Sequence, residues 1–213
     1  MVNNHKVVTD KIFIQTILQK GKEAKDKVSL EFSDISLEQL NWKPSHASWS
    51  IAQCLDHLIV SDSSYFPDLK KITEGTYEMN FWEKYSPFSS VFGRILKDQL
   101  QEQVKKKRIA PRKIQPSTSE MKIDIIERYK KNLDIFLQYI SKCENIDLDK
   151  TIITSPLIQI ITYSLRDAFS FLIQHEHRHI NQAISVRANE NFPKNNSQLR
   201  AVVLSFNYSN RII

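Results

Sequence analysis

Between residues 165 and 186 the apolar side chains recur in steps of three and four, and two positions on that stripe are held by histidine. Leu165, Ala168, Leu172, His175, His179, Gln182 and Val186 share one face of a helix. Residues four apart on an α-helix are stacked with a rise of roughly 6 Å, so His175 and His179 can lean onto one metal ion. His177 points to another side and cannot join them. Two imidazoles in a core cost a few kcal/mol, on the order of 2–7 each, unless their nitrogens are satisfied. A divalent metal satisfies them well. The helix carries a second apolar side, Ile173, Ile180 and Ile184, flanking His177. Such a helix is either central to a fold or half of a dimer contact.

Everything around this helix points to helices as well. The 213 residues include only three glycines, Gly21, Gly75 and Gly93, which are far apart. That excludes a phosphate-binding loop or a dinucleotide fingerprint, both of which need clustered glycines for close backbone approach. A 41% hydrophobic and 25% charged composition fits one soluble domain with a sizeable core. No apolar stretch is long enough to span a bilayer, and the first residues lack the apolar core of a signal peptide. A cytoplasmic location is expected, with Cys54 and Cys143 as buried, reduced thiols.

The net charge of +6 is local: between Arg94 and Lys113 eight basic residues face two acidic ones, and the rest of the chain is balanced. A run of this kind is an ordinary solvated helix end more often than a nucleic-acid site, so no nucleic-acid partner is expected.

Four helices are predicted. The first covers residues 9–33, with Ile14, Ile17, Leu18, Ala24 and Val28 inward. Residues 36–48, containing Trp42, Pro44 and His46, read as a connection. Ser50 and Gln53 form a capping box, with Trp49 placed to pack on Cys54 as a hydrophobic staple, and the second helix runs from there to near Gly75. An aromatic stretch over residues 77–92 either lines a pocket mouth or covers the end of the bundle, and the basic segment follows it. The third helix is predicted to open at Ser117, boxed by Glu120, and to turn Ile123, Ile126, Lys130, Leu133, Leu137 and Ile140 inward. Ile152 and Ile153 suit either a short extended piece or a packed loop. The fourth helix begins near Ser164, with Asp167 at its positive end, and runs to about Ala188. An Asn-rich linker leads into a tail; the boundary is set between residues 1–193 and 194–213.

Helices with connections of variable length pack most simply as an all-α four-helix bundle, with an aromatic and basic insertion between the second and third helices. Such bundles build cofactor sites from inward side chains of facing helices. His57, at the edge of the second helix's inward stripe, is the obvious third ligand for His175 and His179. Three neutral imidazoles leave coordination positions open, as catalytic metal sites do.

Leu40-Asn41-Trp42-Lys43-Pro44, then Trp49-Ser50-Ile51 leading to His57-Leu58, then His175-Glu176-His177-Arg178-His179 leading to Gln182 and Phe192-Pro193, together resemble the DinB-like (YfiT-like) metal-binding bundle superfamily. The resemblance spans roughly residues 9–193 and implies an up-down-down-up bundle, often dimeric, holding one divalent ion, nickel, zinc or similar. It puts the ligands on His57, His175 and His179. It further implies thiol-dependent S-transfer or metal-dependent hydrolysis, with a small-molecule thiol and an electrophile as partners. Asp56 and Glu176 are candidates to orient a ligand imidazole, set against the commoner fate of such residues as solvated helix charges.

Two other readings stand beside this one. His175-Glu176-x-x-His179 matches the zinc-protease motif, with Glu176 as general base, but the extended form needs Gly where Gln182 stands and His where Ser185 stands. The alternative without catalysis is a metal-binding or interaction bundle that engages a partner through its basic segment.

Overall fold

The computed structural model describes residues 4–86 and 121–194. The elements in chain order are α1 (Asn4–Glu31), α2 (Leu37–Asn41), α3 (Ile51–Ser63), α4 (Phe66–Thr73), α5 (Phe81–Tyr85), α6 (Ile125–Ser141), β1 (Ile152–Thr154), β2 (Thr162–Ser164) and α7 (Leu165–Arg187). The protein is mainly helical. Its four long helices interlock, α1 and α3 each packing on both α6 and α7.

The first helix buries Ile14, Ile17, Ala24 and Val28 as its spacing requires, with Leu18 partly covered. Gly21 sits where α1 meets α6: a Cβ there would stand 2.4 Å from Leu137 Cδ2, so the missing side chain permits the close approach. The expected connection over residues 36–48 contains α2, opened by a capping box between Ser36 and Gln39. Gln39 Nε2 also donates to the Pro193 carbonyl, and Trp42 meets Phe192 edge to face at 5.5 Å. Two segments at opposite ends of the chain are thereby fastened together.

The second predicted helix is two helices. Pro67 offers no N–H and its ring crowds the carbonyl four residues back, so the chain breaks at Ser64–Tyr65 and α4 starts again with the proline in its first turn. The third helix begins at Ile125, eight residues after the expected cap. Ser117 and Glu120 lie outside the described residues, as do residues 87–92 of the aromatic stretch, the basic segment and almost all of the tail. Its inward face is also rotated from the predicted one. Ile125, Tyr129, Leu133, Phe136 and Ile140 are buried, while Ile123, ahead of the helix, is 52% exposed and Lys130 pairs with Glu127 at the surface. Two aromatic rings remove more apolar area from water than Ile123 and Leu137 would.

Residues 152–154 pair antiparallel with 162–164 as a small hairpin, Ile152 opposite Ser164. Its second strand runs directly into α7, where Ser164 caps the helix by accepting from Asp167 N–H at 3.1 Å. The Tyr163 hydroxyl meets that of Tyr65 at 2.6 Å. Arg166 pairs with Asp10 and Asp149 and lies over the Phe13 ring, fixing the first turn of α7 to α1. On the other side of the hairpin, buried Glu83 of α5 accepts from Tyr77 and Thr154, and Trp82 donates to the Ile160 carbonyl. The described part of the aromatic stretch therefore braces the hairpin. Ile173 and Ile180, the second apolar side of α7, are buried within this chain. The helix is central to the fold.

Candidate metal centre

The Ser50–Gln53 capping box forms as the sequence indicates, with Gln53 N–H donating to Ser50 Oγ at 3.1 Å and Ser50 N–H to Gln53 Oε1 at 3.3 Å. It fixes the start of α3, so that His57, under two turns later, faces α7. The ring is 1% exposed. His57 Nε2 lies 3.1 Å from His175 Nε2, across 118 residues of sequence. The His179 ring centroid is 4.5 Å from those of both His57 and His175. One ligand nitrogen from each of the three rings lies within 4.8 Å of the others. Among the described residues no other trio of His, Cys, Asp or Glu converges in this way.

The rings fit a small cation. Tetrahedral zinc with Zn–N of about 2.0–2.1 Å puts its nitrogen ligands roughly 3.3 Å apart, close to the 3.1 Å spacing of the first pair. The protonation state fits too. Burial, then the neighbouring imidazoles and Arg178, pushes His175 well below the usual histidine range. Burial, then His57 and Arg178, pushes His179 down to about 3. Both rings are neutral at pH 7 and keep a lone pair for a metal. Their immediate surroundings include an aromatic wall and an amide. The Trp49 ring, expected over Cys54, is 4.8 Å from that of His57 and stacked on His179 at 5.6 Å. Gln182 Oε1 is 3.0 Å from His179 Nδ1.

The remaining sequence candidates separate. His177 faces α1, where the Lys20 backbone is its hydrogen-bond partner. Asp56 is buried at 2% exposure beside His57 in sequence. Glu176 is not a solvated charge: it is wholly buried and accepts a 2.5 Å hydrogen bond from the Tyr129 hydroxyl. Its other neighbour is Asp62, also wholly buried, and neither Asp62 oxygen has an N–H or O–H donor among the described residues. Burial and then Glu176 raise the Asp62 pKa well above the carboxylate range, and burial raises Glu176 to about 7. Two buried carboxyls in contact can hydrogen-bond once one proton lies between them. Sequence reasoning missed Asp62 and Tyr129. The signal was present for Asp62, which follows Ile51, Leu55 and Leu58 at the next inward position of α3.

A largely buried three-imidazole cluster carried by two helices of an interlocked helical fold defines a helical protein with a metal-compatible histidine centre. The profile of the DinB superfamily matches residues 22–183, most of the chain. The protein belongs to that superfamily. Among curated proteins and among solved structures, none matches the chain.

Proposed function

We propose that this DinB superfamily member is a cytoplasmic, divalent-metal-dependent enzyme, a thiol S-transferase or a related hydrolase. It is built over residues 1–193 as an up-down-down-up four-helix bundle and works as a homodimer. The observation that carries the reading is the 3.1 Å approach of His57 Nε2 to His175 Nε2, with His179 beside them. When bound, a zinc, nickel or similar ion supplies the Lewis acidity that brings a thiol or water towards ionisation near pH 7. The chain's own part is to present three imidazoles and, with only three ligands, to leave coordination positions open. Its cysteines support an outside source for the thiol, since burial pushes Cys143 up to about 12 and Cys54 higher still. No helix among the described residues is long and apolar enough to cross a membrane.

The peptidase reading is weakened by Glu176. A general base must reach a water beside the metal, whereas this carboxyl is enclosed by Tyr129 and Asp62. Elemental analysis of protein purified without a histidine tag tests the site. Wild type should carry about one divalent ion per chain, as a single three-imidazole site would hold, and His179→Ala should carry almost none. Wild type equally devoid of metal after zinc or nickel loading would end the proposal. A panel of low-molecular-weight thiols with electrophilic acceptors then tests the transfer reaction, and casein tests peptidase activity.

A further inference from the structure

The three imidazoles are not held alike. A neutral imidazole has one N–H and one bare nitrogen; if the bare one is to face a cation, the other must have somewhere to donate. His175 Nδ1 is buried with no hydrogen-bond partner. His179 Nδ1 instead meets Gln182 Oε1 at 3.0 Å, one turn further along α7. An amide oxygen can only accept, so the hydrogen resides on Nδ1 and the lone pair on Nε2 is left for the cluster. Gln182 is solvent-exposed, so its side chain contributes nothing to the core. It occupies the position at which the extended zinc-protease motif requires glycine, a residue that could make no such bond.

We propose that Gln182 is a positioning residue for the histidine centre: its side-chain carbonyl pins His179 in the Nδ1–H tautomer and aims Nε2 at His57 and His175. Partners of this kind fix ring orientation and raise ligand basicity, and their loss typically costs 10–100-fold in metal affinity. The role is independent of any reaction, but its consequence for affinity rests on the metal-binding reading above.

The test uses the full chain with 15N-labelled histidine. In chelator-treated protein, long-range 1H–15N spectra should show the His179 hydrogen on Nδ1 in wild type. In Gln182→Leu it should redistribute towards Nε2. Gln182→Glu, which supplies a stronger acceptor, should restore the wild-type pattern. Competition against a chromophoric chelator should show zinc binding weakened by about tenfold in Gln182→Leu and recovered in Gln182→Glu. Circular dichroism should be the same for all three. A hydrogen on His179 Nε2 in wild type, or an unchanged tautomer with unchanged zinc affinity in Gln182→Leu, overturns the proposal. Wild type that takes up no zinc while its tautomer still shifts in Gln182→Leu upholds the role of Gln182 and refutes the metal-binding reading instead.

Discussion

Helices α3 and α7 carry two polar clusters between them, and the clusters solve the cost of burial in opposite ways. In the first, His57 faces His175 and His179; desolvation strips protons from the two rings of α7. In the second, Asp62 faces Glu176 under the Tyr129 hydroxyl; desolvation forces protons onto the acids and leaves donors. The same physical term, the penalty on the charged form, acts on both. It makes a base available in one place and neutralises an acid in the other. What differs is what completes each cluster. The carboxyls are completed by one another and by a tyrosine, whereas the imidazoles converge on a common point that a cation would complete. One cluster is therefore expected to serve binding and the other folding.

The largest effect should come from removing a member of the binding cluster. His57→Ala should abolish near-stoichiometric zinc or nickel content, measured by elemental analysis after loading, while circular dichroism stays helical. Retention of metal in that variant would show that the α3 imidazole is not part of the centre, and the contrast would collapse. Tyr129→Phe sharpens the same contrast from the other side. It removes the donor to a buried carboxylate and leaves that oxygen unsatisfied, which should cost about 1–3 kcal/mol in urea denaturation. Metal content should not change. A loss of metal on this substitution would mean that the two clusters are one functional unit.

The histidine centre was legible because its spacing breaks a pattern: imidazoles in an apolar stripe on α7, and a third at the edge of the stripe on α3. The start of α7 was legible because Ser164 and Asp167 have local capping chemistry. The carboxyl cluster is only half legible. Glu176 reads from sequence as a candidate to orient an imidazole or as a solvated helix charge, and Asp62 carries no reading, because single charges are rarely buried. Only the pairing across α3 and α7 makes burial affordable, and pairing between residues 62 and 176 is a long-range fact. The break before α4 was written in Pro67, yet the apolar period continues through it, as Leu69 and Ile72 are buried. Periodicity was followed where the missing N–H should have decided. The rotated face of α6 failed for a related reason: several registers fit the sequence, and the bulk of Tyr129 and Phe136 chose among them through packing.

The smallest effect, in the metal-free protein, is also the most specific, because the two clusters predict slopes of opposite sign with pH. His179 is lowered to about 3 by burial, so between that value and about 6.5 the unfolded chain binds more protons than the folded one, and stability rises with pH. Its contribution is present above about 6.5 and is lost on acidification. Glu176 is raised to about 7 by burial, so between about 4.5 and that value the folded chain binds more protons, and stability falls as pH rises. In the window of overlap, about pH 4.5–6.5, each group tilts the curve by on the order of 1 kcal/mol per pH unit in opposite directions; lowered His175 and raised Asp62 add one slope of each sign, and wild type should be nearly flat. Glu176→Gln should unmask a curve that climbs with pH, and His179→Ala one that descends. Chemical denaturation of chelated protein at pH 4.5, 5.5 and 6.5 reads both slopes. If the two variants tilt the same way, desolvation is not acting on the two clusters in the opposed manner argued here, and burial of the triad would have to be relieved by contacts from the chain's own polar groups.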